Sequence, residues 1–135
     1  MQEHQGQCLC GRVSISAQVS KHSVGACHCG ICRKWSGGVF LAVAVDSATI
    51  TGEEHMTIYP SSDWGERGFC SHCGTNLFFR MKNGGQMILA AGLLEDDPAW
   101  TFDHQIFIDR KPAYYEFANP TTNMTGEEVF AKFSS

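Results

Sequence analysis

Cys27-His28-Cys29-Gly30-Ile31-Cys32 places three thiols within six residues, and two smaller groups lie on either side of it, Cys8-Leu9-Cys10 and Cys70-Ser71-His72-Cys73. These are all seven cysteines of a 135-residue chain. An odd number cannot be used up in intrachain disulfides, and tight bunching on short turns is not the spacing of a disulfide framework. Thiolates bunched in this way suit a metal, because two or three sulfurs can face one ion. Zinc is the natural occupant: it binds thiolate at about 2.3 Å, needs no redox poise and takes four ligands in a tetrahedron. A redox dithiol at Cys70 and Cys73 would need a thioredoxin-like βαβ setting, which does not flank it, and the groups match no ferredoxin spacing.

Ligand counting suggests a division. Structural zinc sites usually have four protein ligands, and catalytic sites usually have three plus water or substrate. Seven divides as four plus three. The central group supplies three sulfurs, and the outer pairs together supply four. Spacing leaves another partition open, with Cys8, Cys10, Cys27 and Cys29 on one ion and Cys32, Cys70 and Cys73 on the other. His28 and His72 lie inside the groups, where each either completes a Cys3His site or sits beside the ligands in a metal-binding turn.

Around these groups the chain reads as one soluble domain, residues 1–135. Its 43% hydrophobic and 18% charged residues fit a globular protein that can bury a core. The longest apolar runs, 39–45 and 87–94, fall well short of the roughly 20 residues that a membrane-spanning helix needs. The N-terminus has neither the basic nor the apolar part of a signal peptide, so the expected location is the cytoplasm. A net charge of −4, with the basic residues scattered, argues against nucleic acid or an anionic membrane as partner.

The secondary structure reads mostly as strand. Residues 12–19 alternate Val13, Ile15, Ala17 and Val19 with polar neighbours, the period of a half-buried strand. The valine-rich run 39–45 predicts a strand buried on both faces. Shorter candidates are 48–51, 56–59, 76–80, 86–93, 105–108 and 113–117. Asn83-Gly84-Gly85 is a hairpin turn. Gly30 to Trp35 reads as one helical turn, and Ser36-Gly37-Gly38 as a tight turn or, less specifically, an anion cradle. Thr125-Gly126-Glu127-Glu128 has the spacing of a capping box before a short C-terminal helix. The expected class is therefore a mainly β, zinc-stapled domain of short antiparallel strands.

Cys8-Leu9-Cys10-Gly11, Cys27 to Lys34 and Phe69-Cys70-Ser71-His72-Cys73-Gly74-Thr75 closely resemble the motifs of the glutathione-dependent formaldehyde-activating enzyme family. His104-Gln105-Ile106-Phe107-Ile108-Asp109 and Lys111-Pro112-Ala113-Tyr114-Tyr115-Glu116 look like its C-terminal motif. The resemblance covers about residues 6–117. It implies an Mss4-like β-tent, a structural zinc on Cys8, Cys10, Cys70 and Cys73, and an open second zinc on Cys27, Cys29 and Cys32. Two zinc ions per chain are thus expected. The family activity joins formaldehyde to glutathione and is classed among carbon–sulfur lyases.

A three-thiolate site with an open position can bind a thiol as thiolate, the nucleophilic form. Cys27, Cys29 and Cys32 are the expected catalytic centre. Arg33 and Lys34 follow directly and either receive the carboxylates of a glutathione-like thiol or balance the negative centre. Trp35 is the candidate pocket wall, whereas Trp64 and Trp100 read as packing residues. Glu95-Asp96-Asp97 reads as a solvated loop and His104 as a hydrogen-bonded structural histidine. Two function classes stand: a carbon–sulfur lyase-like enzyme acting on thiol–aldehyde adducts, and a non-catalytic Mss4-like zinc module that binds a protein partner.

Overall fold

The computed structural model describes residues 1–134, so Ser135 at the end of the expected domain lies outside the described residues. The chain is mainly β and folds as two sheets. The smaller sheet has the order β1-β2-β5, with β1 (Gln2–Gln7), β2 (Ser14–Val19) and β5 (Ser47–Thr51). The larger contains β3 (Ser23–Cys27), β4 (Phe40–Val45), β6 (Met56–Tyr59), β7 (Gly65–Cys70), β8 (Asn76–Met81), β9 (Met87–Ala90), β10 (Thr101–Ile106) and β11 (Thr122–Met124). Its order is β11-β10-β3-β4-β9-β8-β7-β6. Among the described residues, every pairing is antiparallel except the two that β10 makes with β3 and β11.

The alternation in β2 is that of a strand with one buried face. Ile15, Ala17 and Val19 point into the core, joined by Val13 just before the strand. They meet Val43, Leu77, Phe78 and Leu89 from the larger sheet. Each large side chain fully buried there contributes about 1.5–3 kcal/mol. On β4 and β9 the alternate residues face the other way. Phe40, Ala42, Ile88 and Ala90 join a second cluster with Cys27, Cys32 and Trp35. The larger sheet thus carries one apolar cluster on each face.

Several expectations need adjustment. The run 39–45 forms β4, but Leu41 and Ala44 remain exposed, so the strand is not buried on both faces. The candidate at 86–93 is strand only as β9 and then turns into a 3-10 helix, Ala91–Leu93. The candidate at 105–108 is the tail of β10, which begins at Thr101. Residues 113–117 form no strand. They pack through their rings instead, with Tyr115 and Phe117 against His28. β1, β3, β7 and β11 were not foreseen. β1 (QEHQGQ) is almost wholly polar and is a strand because all six residues pair with β2. In β7 (GERGFC) the glycines make room for rings: a Cβ on Gly68 would lie 2.4 Å from Phe78 Cζ, and one on Gly65 would lie 2.3 Å from Phe79 Cε2.

The two helices are short. α1 (Gly30–Ser36) is longer than the single turn expected, and Gly37 closes it at φ 75°. α2 (Gly126–Ser134) begins at the foreseen capping box. Thr125 N donates to Glu128 Oε1 at 2.9 Å, and Glu128 N donates to Thr125 Oγ1 at 3.2 Å. Among the described residues, no helix is long and apolar enough to cross a membrane.

Gly52 links β5 to the next turn at φ 91°, and a Cβ there would sit 2.0 Å from the Arg12 carbonyl oxygen. Gly52→Ala should therefore cost about 2 kcal/mol or more, lowering the melting temperature by about 5–10 °C in a thermal melt. An unchanged melting temperature would contradict this backbone contact.

Candidate metal centres and the adjoining cleft

Cys8, Cys10, Cys70 and Cys73 converge, with their four sulfurs all within 4.8 Å of one another. Two tight turns bring them there. Gly11 N donates to the Cys8 carbonyl and Gly74 N to the Cys70 carbonyl, with Gly11 at φ 81° and Gly74 at φ 76°. A residue with a side chain would be strained at either angle. Cys8 Sγ lies 3.6 Å from Cys10 Sγ, which lies 3.7 Å from Cys70 Sγ. The edge of a tetrahedron with bonds of about 2.3 Å is about 3.8 Å, so the spacing fits four sulfurs around one zinc ion. It is far too long for a disulfide, at about 2.05 Å.

The surroundings of this group favour thiolates. Val13 N donates to Cys8 Sγ at 3.3 Å. Thr75 Oγ1 accepts from Leu9 N at 3.0 Å and donates to Cys73 Sγ at 3.1 Å, which holds the Cys73 thiol down at about 5. The backbone N–H and side chain of Arg12 lower Cys10. Cys8 and Cys70 are fully buried and belong to the core between the sheets.

Cys27, Cys29 and Cys32 form the other group, again with sulfurs within 4.8 Å, and among the described residues no fourth Cys, His, Asp or Glu joins them. Cys27 ends β3. Cys29 is the N-cap of α1, its Sγ accepting from Cys32 N at 3.3 Å, and Cys32 sits buried in the helix. The thiols of Cys27 and Cys32 donate to Cys29 and drive it down to about 2, with help from the Arg67 charge. Giving those hydrogen bonds pushes Cys27 up. Three sulfurs competing for protons in a buried spot are a donor set that suits a divalent cation.

Arg67, on β7, is the residue that sequence reading missed. It is only 4% exposed, and its guanidinium lies over Trp35 at 4.9 Å and over Phe79 at 5.1 Å. Nη2 donates to Cys32 Sγ at 3.5 Å and Nε to Ser61 Oγ at 3.2 Å, while Nη1 is buried without a partner. Its signal was faint: one arginine between glycines in an unrecognised strand. Trp35 packs on Phe40 and under Arg67. Arg33 is half-buried and its Nε has no partner. Lys34 is exposed on α1 and enters none of these contacts.

His28 also proves to be part of this neighbourhood. It is completely buried rather than facing solvent. Gln105 Nε2 donates to Thr121 Oγ1 at 2.9 Å, so its Oε1 faces His28 Nε2 at 2.8 Å and that nitrogen carries the proton. His28 Nδ1 then accepts from the Tyr115 hydroxyl at 2.6 Å. Burial lowers the pKa of His28 and raises that of Tyr115, so both stay neutral. Gln105 also lines a cleft of about 420 Å³ with Lys111, Glu116, Asn119, Thr121 and Asn123. His72 is remote from this network; its Nε2 pairs with His55 Nδ1 at 3.1 Å. His104 bonds Asp103 and Ser23, a structural role as expected.

The sequence profile described as glutathione-dependent formaldehyde-activating enzyme matches residues 3–110. A Schizosaccharomyces pombe protein named as a lyase is 37% identical over 131 residues, covering 96% of each chain. A Halomonas elongata protein bearing the name of a glutathione-dependent formaldehyde-activating enzyme is 30% identical over 125 residues, covering 83% of this chain and 79% of its own. A crystal structure of a Rhodobacter sphaeroides protein shares the fold, with a TM-score of 0.55 and 22% identity over 70% of this chain and 91% of that one. With four-fifths of its length matched by that profile, the chain belongs to the glutathione-dependent formaldehyde-activating enzyme family.

Proposed function

We propose that the protein is a zinc-dependent, carbon–sulfur lyase-like enzyme that handles adducts of a small thiol, glutathione or a similar one, with an aldehyde. The observation that carries this reading is the three-donor group at Cys27, Cys29 and Cys32, beside the Arg67 guanidinium, which bonds Cys32 and keeps one nitrogen unpartnered. Family membership and the lyase name of the yeast relative support the reaction class. The non-catalytic binding module calls for two closed sites, and three donors do not close one.

Cys27, Cys29 and Cys32 would hold the zinc ion, which when bound would supply an acceptor for a substrate sulfur and favour its thiolate form. The chain's own residues supply the rest. Arg33 Nε and Arg67 Nη1 are buried donors without acceptors, and each costs about 1–3 kcal/mol while unpaired. A carboxylate of the thiol substrate satisfies them, and the plane of Trp35 and Phe79 holds Arg67 in position to receive it. The polar cleft beyond Gln105 has room for the peptide part of such a thiol. Tyr115, through its bond to His28, holds the segment after Lys111 against the turn that bears Cys27 and Cys29. In the synthetic direction the thiolate sulfur bonds to the aldehyde carbon, the carbonyl π pair moves to oxygen, and one proton is taken up. In the lytic direction the carbon–sulfur bond breaks and the proton is released.

Elemental analysis of the reduced protein should give about two zinc ions per chain, and about one in Cys29→Ser. Serine is also a good N-cap, so Cys29→Ser should keep α1 and most of the fold. Cys70→Ser removes a donor from the core group and should lower the melting temperature far more, because a structural zinc contributes directly to folding. Equal collapse of the two variants in thermal melts would sink the division into structural and open centres.

Glutathione should bind the zinc-replete protein with release of a proton, so its affinity rises as pH approaches the pKa of the free thiol, by up to about tenfold per unit. S-methylglutathione cannot form a thiolate and should bind at least tenfold more weakly. Calorimetry at two pH values distinguishes these outcomes, and equal affinity for the two ligands would remove the case for metal-held thiol.

Arg67→Lys and Arg33→Gln should each weaken glutathione by about tenfold or more while leaving two zinc ions bound. Glutathione affinity unchanged in both variants would show that the orphaned guanidinium nitrogens play no part in recognition.

A further inference from the structure

Away from both cysteine groups, His4, His22 and Asp97 bring ligand atoms within 4.8 Å of one another. They come from separate parts of the chain: His4 from β1, His22 from the turn before β3, and Asp97 from the loop after the 3-10 helix Ala91–Leu93. His4 is completely buried although it lies on an otherwise polar edge strand. Its Nε2 is 2.9 Å from His22 Nε2, and the rings stand nearly perpendicular, at 78°. Trp100 packs on both rings, at 4.6 and 4.9 Å. His4 Nδ1 is buried without a hydrogen bond and faces Glu95 Oε1 at 3.6 Å. Such a carboxylate favours the proton on Nδ1 and leaves the Nε2 lone pair for a metal, an arrangement common behind metal-binding histidines.

We propose that His4, His22 and Asp97 form a third metal site, for a divalent transition ion that prefers imidazole nitrogen and octahedral or tetragonal geometry, of which Ni²⁺ is the test case. Two nitrogens bound at about 2.1 Å and at right angles lie about 3.0 Å apart, whereas tetrahedral ligands at the same bond length lie about 3.4 Å apart, so the spacing favours the former. Two imidazoles with one carboxylate, and no sulfur, also distinguish this ion from the zinc expected at the cysteines. Asp97 keeps lone pairs free while accepting from Ala99 N at 2.8 Å and from Gln2 Nε2 at 3.3 Å. An ion here clips the N-terminal strand to the loop at 95–100 and to the entry of β3. The three tethers it joins are otherwise held by hydrogen bonds such as Glu95 N to the Gln5 carbonyl and Thr101 N to the His22 carbonyl.

The test uses untagged protein with its cysteine groups saturated with zinc. Titration with Ni²⁺ in a calorimeter should show one ion bound per chain, with the zinc content unchanged by elemental analysis. Proton spectra should show the ring resonances of His4 and His22 shifted strongly by the paramagnetic ion. His22→Gln and Asp97→Asn, at partly exposed positions, should each weaken Ni²⁺ at least tenfold and keep the zinc. No Ni²⁺ uptake at millimolar concentration would overturn the proposal, as would unchanged affinity in either variant or Ni²⁺ bound without shifting those rings. In that case the two histidines share a simple N–H···N hydrogen bond. Because the readouts are metal content, affinity and spectra, failure here leaves the thiol chemistry of the cysteine site untouched.

Discussion

Seven thiols held in two clusters can ionise together only with positive charge between them, and the fold is arranged around those two clusters. Four sulfurs within 4.8 Å cannot ionise together unless a cation sits among them. The group at Cys8, Cys10, Cys70 and Cys73 spans more than sixty residues of chain, so filling it ties the turn before β2 to the turn between β7 and β8. Both turns are built for this, with glycines at positive φ after each pair and N–H or O–H donors aimed at the sulfurs. The core between the sheets then closes around buried Cys8 and Cys70.

The second cysteine group uses the opposite face of the same sheet. On β4 the even positions Phe40 and Ala42 support it, and the odd position Val43 supports the core; β9 divides its residues in the same way. A strand's twofold period thus separates the two centres. One is anchored in the core by Cys8 and Cys70, with Cys10 exposed at its rim. The other meets a helix, a buried arginine and a stretch without regular structure, where a cleft can exist.

The cysteine groups were legible because they stand at short, fixed spacings, the kind a metal site calls for, that tertiary context does not blur. Counting alone suggested four plus three, while the pairing of the outer groups came from resemblance. β2 and the capping box of α2 were legible for similar reasons, since each writes a local rule into consecutive residues. β1 and β7 were not, because their strand character comes from partners: β1 from pairing with β2, and β7 from rings that lie on its glycines. Arg67 reaches the site from a strand with no local signal, while Gln105 and Tyr115 lie in stretches that resemble the family's C-terminal motif but whose bonds to His28 no local spacing announces. Residues 113–117 misled because aromatic residues favour strands and also make good ring-packed coil.

The positive charges bear on the different uses proposed for the two centres. Four thiolates with a divalent ion carry a net −2, and the group that carries it has Arg12 beside Cys10 at its rim. Three thiolates with a divalent ion carry −1, and an incoming thiolate restores −2 in a buried setting, which is costly without compensation. Arg67 provides it. Its guanidinium lies over Trp35 and Phe79, and one nitrogen already bonds Cys32. A neutral partner such as glutamine could fill the same space and bond Ser61, but it would add nothing to the affinity for an anion. The remaining unpartnered nitrogens on Arg67 and Arg33 are donors held dry. That arrangement costs stability in the free protein and returns it only when an acceptor arrives, so this face is better suited to a thiol that brings its own carboxylates than to an apolar protein surface.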